Sequence, residues 1–331
     1  MIKSDFMKPE EIKTLLGEHW EKMENYISSS LSSDIDMLQK VNESILSHSG
    51  KQLRPLLSLL VAMACSEGRP SENTYRFAAA SELLHNATLF HDDVADSSDQ
   101  RRGVPTVRSL MGPSVSVLLG DYWLVKAMEL ILSGEDGNRV IRIFSNTLSD
   151  LAEGEMLQLQ KAGTGDTGID DYTKIIYKKT ASLFVAASLS AAISVRADEK
   201  QEKAVTEYAS ALGLAFQIRD DIFDYSLSSE VGKPTGVDIL EQKITLPLLG
   251  AFRNAPQEEP RIRNLVATIL DHPDRREEIL TFVNDNKGVD YAESVLEGYV
   301  NKAVDALHGL PDSWYKERLA ELAAYVGQRS K

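Results

Sequence analysis

The sequence predicts an all-α protein folded as one bundle of about 10–13 helices. Apolar residues recur at steps of three and four through long stretches, for example from Val289 through Ala292 and Leu296 to Ala303. Alternation of apolar and polar residues, which marks a half-buried strand, is hard to find. The 11 prolines and 20 glycines fall mostly between the periodic stretches. We therefore expect helices joined by turns, with little or no sheet.

The breaks between periodic stretches define the helices in chain order. Glycine or proline interrupts the pattern at 49–50, 68–70, 103–105, 112–113, 163–168 and 232–234. No linker or low-complexity segment divides the chain, so residues 1–331 are interpreted as a single domain. The predicted helices run approximately over 8–46, 52–66, 72–91, 114–132, 137–160, 170–196, 200–226, 243–253, 258–270, 273–285, 289–307 and 312–328.

Composition narrows the range of functions. The formal net charge of −14 argues against nucleic acid as a partner, because phosphate backbones require clustered Lys and Arg. Cys65 is the single cysteine, which excludes an internal disulfide and fits a reducing compartment. We find neither a leader sequence nor an apolar run of the roughly 20 residues that a transmembrane helix needs. These observations predict a soluble cytoplasmic protein.

Two acidic clusters carry the strongest chemical signal. The stretches 92–96 (Asp-Asp-Val-Ala-Asp) and 220–224 (Asp-Asp-Ile-Phe-Asp) each directly follow an apolar run. The first and last aspartates of each are four residues apart, so on a helix they share one face about 5–6 Å apart. Like charges at this spacing favour a bound cation, and hard carboxylate oxygens suit Mg²⁺. We therefore predict that two facing helices of one bundle carry the clusters and bind Mg²⁺. We also predict that the protein acts on diphosphate esters.

Basic side chains that could bind phosphate accompany the clusters. Arg101 and Arg102 follow the first cluster, and Lys51 and Arg54 stand at the start of a helix after Gly50. A helix N-terminus attracts anions by itself, and arginine can bind a diphosphate through two hydrogen bonds. Further candidates are His85, two turns before the first cluster, and Lys179, Lys233 and Lys243.

These motifs resemble those of the trans-isoprenyl diphosphate synthases, also called polyprenyl synthetases. The stretch 85–96 with 101–103 (Arg-Arg-Gly) is similar to the family's first aspartate-rich motif, and 216–224 is similar to its second. The basic elements follow in the family's order and approximate spacing at 50–55, 179–180, 232–233 and 243–247. The resemblance covers about 30–309. It implies an all-α bundle around a deep central cavity, usually a homodimer.

The resemblance implies a reaction and a role for each residue. The enzyme would condense isopentenyl diphosphate with geranyl, farnesyl or geranylgeranyl diphosphate into an all-trans polyprenyl diphosphate. Three Mg²⁺ ions would bind at Asp92, Asp96 and Asp220, supported by Asp93, Asp221 and Asp224. The allylic diphosphate would contact Arg101, Lys179, Lys233 and Lys243, and isopentenyl diphosphate would contact Lys51, Arg54, His85 and Arg102. Lys179, Thr180 and Gln217 would lie near the reacting carbon.

The chemistry implied by these parts needs no protein nucleophile. Mg²⁺ would act as a Lewis acid on the leaving diphosphate, and the double bond of isopentenyl diphosphate would attack the resulting allylic cation. The released diphosphate would accept the proton that is lost. Catalysis would then consist of charge stabilisation and positioning.

The sequence departs from the family pattern at two loops. The family often has Gly-Gly-Lys-Arg where this chain has 49–52 (Ser-Gly-Lys-Gln), and Glu-Gly-Lys where it has 241–243 (Glu-Gln-Lys). Neither departure removes a basic residue that the mechanism uses. Both replace a residue of the family pattern with glutamine, Gln52 and Gln242.

Small residues before the first cluster predict a long product. In the family, a bulky aromatic residue at the position of Ala87 or Thr88 closes the hydrocarbon tunnel early, and here both are small. With Leu84, they are expected to line a tunnel that admits a C35–C40 chain. Met128 and Leu132 are candidates for its floor.

Other functions remain open at this point. A shorter-chain synthase making the C20 geranylgeranyl diphosphate would share the same motifs. A terpene cyclase would not need a second full Asp-Asp-x-x-Asp or the basic residues of an isopentenyl site. A non-catalytic subunit of a heteromeric synthase would lack one of the motifs, and a metal-binding scaffold would not explain the basic residues.

Overall fold

The computed structural model describes residues 6–48, 50–101, 103–225 and 235–329. Arg102 and Lys233 therefore lie outside the described residues. Of the chain that is described, nearly all regular structure is helical. The helices are α1 (Pro9–Leu16), α2 (Glu18–Ser30), α3 (Asp36–Ser47), α4 (Leu53–Cys65), α5 (Glu72–Ala95), α6 (Val107–Met111), α7 (Pro113–Leu132), α8 (Gly137–Thr164), α9 (Ile169–Ile176), α10 (Ser182–Ser194), α11 (Glu199–Asp224), α12 (Val237–Leu240), α13 (Leu246–Asn254), α14 (Glu259–Ala267), α15 (Arg276–Asp285), α16 (Gly288–Ala306) and α17 (Trp314–Gln328).

Other regular elements are short. A π-helix (Tyr177–Ala181) joins α9 directly to α10, and 3₁₀ turns occupy Pro273–Arg275 and Leu307–Gly309. Strands β1 (Gln100–Arg101) and β2 (Val104–Pro105) form a small antiparallel hairpin after α5. No helix in the described ranges has both the length and the apolar composition that a membrane crossing requires.

The predicted all-α class is confirmed, with more helices than the 10–13 expected. The predicted helix 8–46 is three helices, because Gly17 adopts φ +50° between α1 and α2 and the chain turns at 31–35 before α3. Glycine reaches this left-handed region without steric cost. The predicted helix 170–196 is likewise divided by the π-helix. Short helices such as α6 and α12 carry too few residues for a periodic pattern.

Helix α5 lies at the centre of the bundle. It packs against α2, α4, α7 and α10, and apolar side chains such as Phe77, Leu83 and Phe90 are buried along its length. Its first turn is capped by Ser71, whose hydroxyl accepts a hydrogen bond from the Thr74 N–H at 3.2 Å. The cap sets where α5 begins, and the helix then runs through the bundle and ends in the first acidic cluster.

Helix α11 brings the second acidic cluster into the bundle. It packs against α10, α16 and the π-helix. Its N-terminus has a capping box, in which the Gln201 N–H donates to Asp198 and the Asp198 N–H donates to the Gln201 side chain. The last turn of α11 carries the cluster, so both acidic clusters stand at helix C-termini. The macrodipole disfavours carboxylates there, which is a further reason to expect cations.

Candidate active site

The two acidic clusters share their surroundings with two lysines. Burial raises the pKa of Asp92, of Asp96 and of Asp238, a residue after the second cluster, and the ammonium groups of Lys179 and Lys243 partly offset these rises. Lys179 and Lys243 line one cavity together with Asp221 of the second cluster and with Asp238. The ends of α5 and α11 therefore face one site, with Lys179 and Lys243 between them.

The first cluster contains carboxylates in two different settings. Asp93 is buried, and its Oδ1 accepts a hydrogen bond from Arg101 Nε at 2.9 Å. Burial raises the pKa of Asp92 to about 6, with the Glu155 carboxylate adding to the rise. Burial also raises the pKa of Asp96. Arg101, expected at the allylic diphosphate, thus anchors the β-hairpin to α5 through Asp93.

The carboxylate of Asp221 in the second cluster is buried and accepts two hydrogen bonds. The Tyr172 hydroxyl donates to Oδ2 at 2.6 Å, and Gln217 Nε2 donates to Oδ1 at 2.8 Å. The Thr180 hydroxyl in turn donates to Gln217 Oε1 at 2.7 Å. Burial raises the pKa of Asp221 despite these donors. This chain of hydrogen bonds connects Thr180 and Gln217 to Asp221 of the second cluster.

The Asp224 carboxylate binds the backbone at the start of α12. Its carboxylate accepts hydrogen bonds from the backbone N–H groups of Val237 at 3.0 Å and Asp238 at 2.9 Å. These are the first residues of α12, so Asp224 caps that helix across a sequence gap. Asp238 is thereby held next to the acidic cluster, where burial and then the Asp224 charge raise its pKa.

Asp220 has a partner at the far end of the chain. Arg329 Nη2 lies 2.6 Å from Asp220 Oδ1 and donates to the Phe216 carbonyl at 3.1 Å. The guanidinium lies 4.0 Å from the centre of the Phe216 ring, and Phe184 packs on Phe216 with ring centres 5.5 Å apart. Arg329, which directly follows α17, therefore reaches the second acidic cluster.

One of the basic residues predicted for isopentenyl diphosphate, Arg54, lies beside this aromatic pair. The Arg54 guanidinium is 4.8 Å from the centre of the Phe184 ring. Lys51 Nζ is 5.9 Å from the ring of Tyr325 in α17. His85 is half-buried on α5, two turns before Asp92. The start of α4 and the end of α17 are thus adjacent.

The π-helix sets the position of Lys179 and Thr180. Its wide turn is enclosed by two glycines: a Cβ on Gly154 of α8 would lie 2.9 Å from Lys179 Cγ, and a Cβ on Gly213 of α11 would lie 2.5 Å from Ala181 Cα. Both neighbouring helices therefore approach as closely as their backbones allow. Such π-helical turns are frequent at functional sites.

Both glutamines noted as departures adopt left-handed backbone conformations. Gln52 has φ +45° just before α4, and Gln242 has φ +58° just before Lys243. Residues other than glycine adopt this region at a cost. At position 242 the family often has glycine, so here the turn before Lys243 keeps its shape without the residue best suited to it.

The carboxylate arrangement fits a hard divalent ion that also binds substrate. Among the described residues, no three His, Cys, Asp or Glu side chains lie close enough to hold a metal by themselves. Mg²⁺ takes only one or two protein carboxylates and completes its shell with water and phosphate oxygens. Asp92, Asp96 and Asp220 supply oxygen donors of this kind without forming a closed cage.

Comparison with known proteins identifies the family. A family model described as polyprenyl synthetase matches residues 35–283, which contain both acidic clusters. The chain belongs to the polyprenyl synthetase family. The resemblance stated from the motifs is therefore confirmed.

Several relatives of this polyprenyl synthetase match over almost their full length. It is 37% identical to an octaprenyl diphosphate synthase from Haemophilus influenzae, covering 98% of each chain. It is 35% identical to an all-trans-nonaprenyl-diphosphate synthase (geranyl-diphosphate specific) from Rhodobacter capsulatus, covering 97% of this chain and 96% of the relative. A crystal structure of polyprenyl synthase from Caulobacter crescentus, complexed with calcium and isoprenyl diphosphate, has a TM-score of 0.90 at 30% identity and covers 100% of both chains.

Sequence reasoning missed several residues of this polyprenyl synthetase site. Arg329 lies beyond the range of the motif resemblance and has no local pattern. Asp238 stands 14 residues after Asp224 and is brought back by the cap of α12. Glu155 and Gln158 on α8 contact Lys179, and Gly154 next to them was the available signal, since glycine inside a helix often marks a close approach.

The residues predicted to set the chain length of the product differ in how deeply they are buried. Ala87 and Leu84 are buried on α5, and Thr88 and Met128 are half-buried. Leu132, predicted as part of the tunnel floor, is instead 55% exposed at the end of α7. It lies at the surface of the single chain because another face of α7 packs on α5, so its place in the tunnel floor stays a prediction. A cavity of 130 Å³ lies near Lys179 and Lys243, between α8, α9 and α11.

Proposed function

We propose that this protein is a trans-prenyltransferase that condenses isopentenyl diphosphate with an allylic diphosphate. The allylic substrate is geranyl, farnesyl or geranylgeranyl diphosphate, and the product is an all-trans polyprenyl diphosphate of C35–C40. The observation that carries the proposal is the convergence of two aspartate clusters, on α5 and α11, around Lys179 and Lys243, which line one cavity with Asp221. Named relatives that make octaprenyl and nonaprenyl chains support the long product.

Asp92, Asp96 and Asp220 are the proposed Mg²⁺ ligands, with three ions per site. When bound, Mg²⁺ supplies Lewis acidity that weakens the bond between the allylic carbon and its diphosphate. Asp93 and Asp221 support the ligands beside them, and their hydrogen bonds to Arg101 and Tyr172 are consistent with that role. Asp224 acts through α12, whose first N–H groups it binds.

The protein's own cations bind the two diphosphates in this proposal. Lys179, Lys243, Arg101 and Lys233 bind the allylic diphosphate, and Lys51, Arg54, His85 and Arg102 bind that of isopentenyl diphosphate. The half-buried, aromatic-stacked Arg54 supports this assignment, because a stacked guanidinium is held in one orientation for a bidentate contact. Thr180 and Gln217 lie beside the reacting carbon, where their oxygens favour the allylic cation.

The hydrocarbon chain grows away from these charges along α5. Ala87, Thr88 and Leu84 precede Asp92 by one to two turns, and they leave room for a chain that a bulkier side chain would stop. Met128 and Leu132 on α7 are the candidates for the floor. A C20 product is the alternative length, and sizing the product separates the two.

We also propose that the chain works as a single domain and as a homodimer formed through α7. Leu118, Val125 and Leu132 recur every seven residues along α7 and are exposed by 68%, 50% and 55%. A seven-residue spacing places them on one face of the helix. A face of this kind, opposite the one packed on α5, suits a self-complementary contact between two copies.

The function is tested by incubating the purified protein with Mg²⁺, labelled isopentenyl diphosphate and farnesyl diphosphate. The proposal expects label in an extractable prenyl diphosphate that acid hydrolyses, unlike isopentenyl diphosphate, and expects Asp92→Asn and Asp220→Asn to lower the rate by at least about two orders of magnitude. Asp271→Asn, an aspartate outside both clusters, is the matched control. No incorporation by the wild-type protein would contradict the proposal.

A further inference from the structure

Lys179 has two protein acceptors on α8. Its ammonium forms an ion pair with Glu155 and donates to Gln158 Oε1 at 2.9 Å. The side chains of Lys179 and Glu155 are 26% and 32% exposed, so both charges are partly withdrawn from water. Glu155 also lies near enough to Asp92 and Asp96 to raise the pKa of both. It therefore lies near the first acidic cluster although it does not belong to it.

The neighbouring lysine has carboxylates of its own. The Lys178 ammonium lies 2.6 Å from Asp150 Oδ1 and 2.8 Å from Glu153 Oε2. These two acids also belong to α8, and they precede Gly154, where the π-helix comes closest. Glu155 follows that glycine. The acids before Gly154 thus bind Lys178, and the acid after it binds Lys179. Glu155 is therefore not needed to neutralise Lys178.

We propose that Glu155 is a positioning residue that competes with diphosphate for the Lys179 ammonium and so promotes release of the pyrophosphate product. The inference rests on the proposed function, in which Lys179 binds the allylic diphosphate. Each condensation breaks the bond to that diphosphate and leaves one pyrophosphate in the site. Elongation to a long chain repeats this step, so the pyrophosphate must leave after every addition.

The physical basis is the cost of leaving a partly buried charge without a partner. An ammonium is destabilised when its anion departs from a site that water reaches poorly, because it loses a favourable interaction that water does not replace. Glu155 and Gln158 accept two of the three N–H groups of Lys179, so the lysine keeps partners as pyrophosphate leaves. The same contacts lower the net affinity for pyrophosphate, because binding has to replace them.

Glu155→Gln tests the proposal, since it removes the charge and keeps an oxygen acceptor at the same reach. Inorganic pyrophosphate is titrated calorimetrically into the full-length protein at saturating Mg²⁺. For a partly exposed ion pair, loss of the competitor is expected to tighten pyrophosphate binding about fivefold. In steady state, kcat and the KM for the allylic substrate are expected to fall together. Damage to the fold would weaken binding instead, so tightening is a specific result.

Glu153→Gln is the matched control. It makes the same substitution two residues earlier on the same helix, where the carboxylate contacts Lys178. The affinity for pyrophosphate is expected to stay within about twofold of the wild type, because Lys178 keeps Asp150. Equal tightening by both substitutions would overturn the proposal, since it would show a general effect of charge.

A double variant identifies the residue through which Glu155 acts. In a Lys179→Ala background, the tightening caused by Glu155→Gln is expected to vanish. Tightening that persists there, or no tightening in the wild-type background, would overturn the proposal. If Lys179→Ala itself leaves pyrophosphate affinity unchanged, the proposed allylic site is contradicted as well. If Lys179→Ala weakens binding and Glu155→Gln has no effect, only the role of Glu155 fails.

Discussion

The aspartates of the two clusters differ in the groups that donate hydrogen bonds to their carboxylates. Arg101 binds Asp93, Tyr172 binds Asp221, and the first N–H groups of α12 bind Asp224. These contacts orient the helix ends on which Asp92 and Asp220 stand. A carboxylate that is itself hydrogen-bonded holds its neighbours in place, which is how supporting residues act at metal sites.

The raised pKa of Asp92 predicts how Mg²⁺ binding depends on pH. Its ordinary pKa of 3.8 rises to about 6, so between these values the folded protein keeps a proton on this carboxyl group. Mg²⁺ must displace that proton, and below about pH 6 its affinity is expected to fall by up to tenfold per pH unit. Calorimetric titrations with Mg²⁺ at about pH 7.5, 6.5 and 5.5 measure this. Equal affinity at all three would show that Asp92 does not take part.

Substitution of Ala87 tests whether product length is decided on α5. Ala87→Phe is expected to shorten the product, because an added ring would occupy the path of the growing chain. Ala87→Val, with a smaller side chain, is expected to give an intermediate distribution. Chromatographic sizing of the products from farnesyl diphosphate measures the effect. Unaltered product length in both variants would show that Ala87 does not line the path.

At the level of elements, the π-helix is the feature that most directly builds the site. Its five residues separate α9 from α10 and carry both Lys179 and Thr180. The periodicity of 170–196 predicted one helix, because a single wide turn leaves apolar spacing nearly unchanged. In the sequence, the glycines at 154 and 213 indicate close approaches of the backbone. The packing of α8 and α11 shows that the π-helix is the element that approaches them.

Replacement of Gly213 tests this packing. In Gly213→Ala the added Cβ would lie 2.5 Å from Ala181 Cα, so the π-helix or α11 must shift. Overpacking of this kind is expected to lower the free energy of unfolding by about 1–3 kcal/mol. Chemical denaturation measures it, and activity should fall with it because Thr180 and Lys179 move.

Gly298→Ala is the control for the change in helix propensity. Gly298 lies inside α16 and an added Cβ would meet nothing within 4 Å. The free energy of unfolding should rise by up to about 1 kcal/mol, because alanine favours the helix. If Gly213→Ala also stabilises the protein, the close approach is not as described.

At the level of the whole molecule, α7 presents an apolar face that the described residues of its own chain leave exposed. The dimer proposal predicts that Leu118→Glu produces monomers, because a charge within an apolar contact would be buried without a partner. Light scattering after size-exclusion chromatography measures the mass. Leu270→Glu is the control, since Leu270 is also 68% exposed but follows α14. A wild-type monomer, or an unchanged dimer in Leu118→Glu, would contradict the proposal.

The sequence predicted the class of fold and the chemistry of the site better than its details. Helical periodicity and two spaced aspartate clusters are local patterns, so they can be read without coordinates. Arg329 and Asp238 reach the site only through tertiary contacts, with Asp220 and Asp224 respectively. Leu132 shows the reverse: a local position suggested an inward side chain, and it lies at the surface of the single chain. The single domain, the cytoplasmic location and the separate roles of the site residues stay predictions.

Product sizing tests the central claim most directly. Wild-type protein is supplied with Mg²⁺, farnesyl diphosphate and excess labelled isopentenyl diphosphate, and the dephosphorylated products are separated by chain length. We expect all-trans polyprenols of C35–C40 as the main products. Products that stop at C20 would contradict the long-chain assignment, and recovery of unextended farnesol alone would contradict the proposed reaction itself.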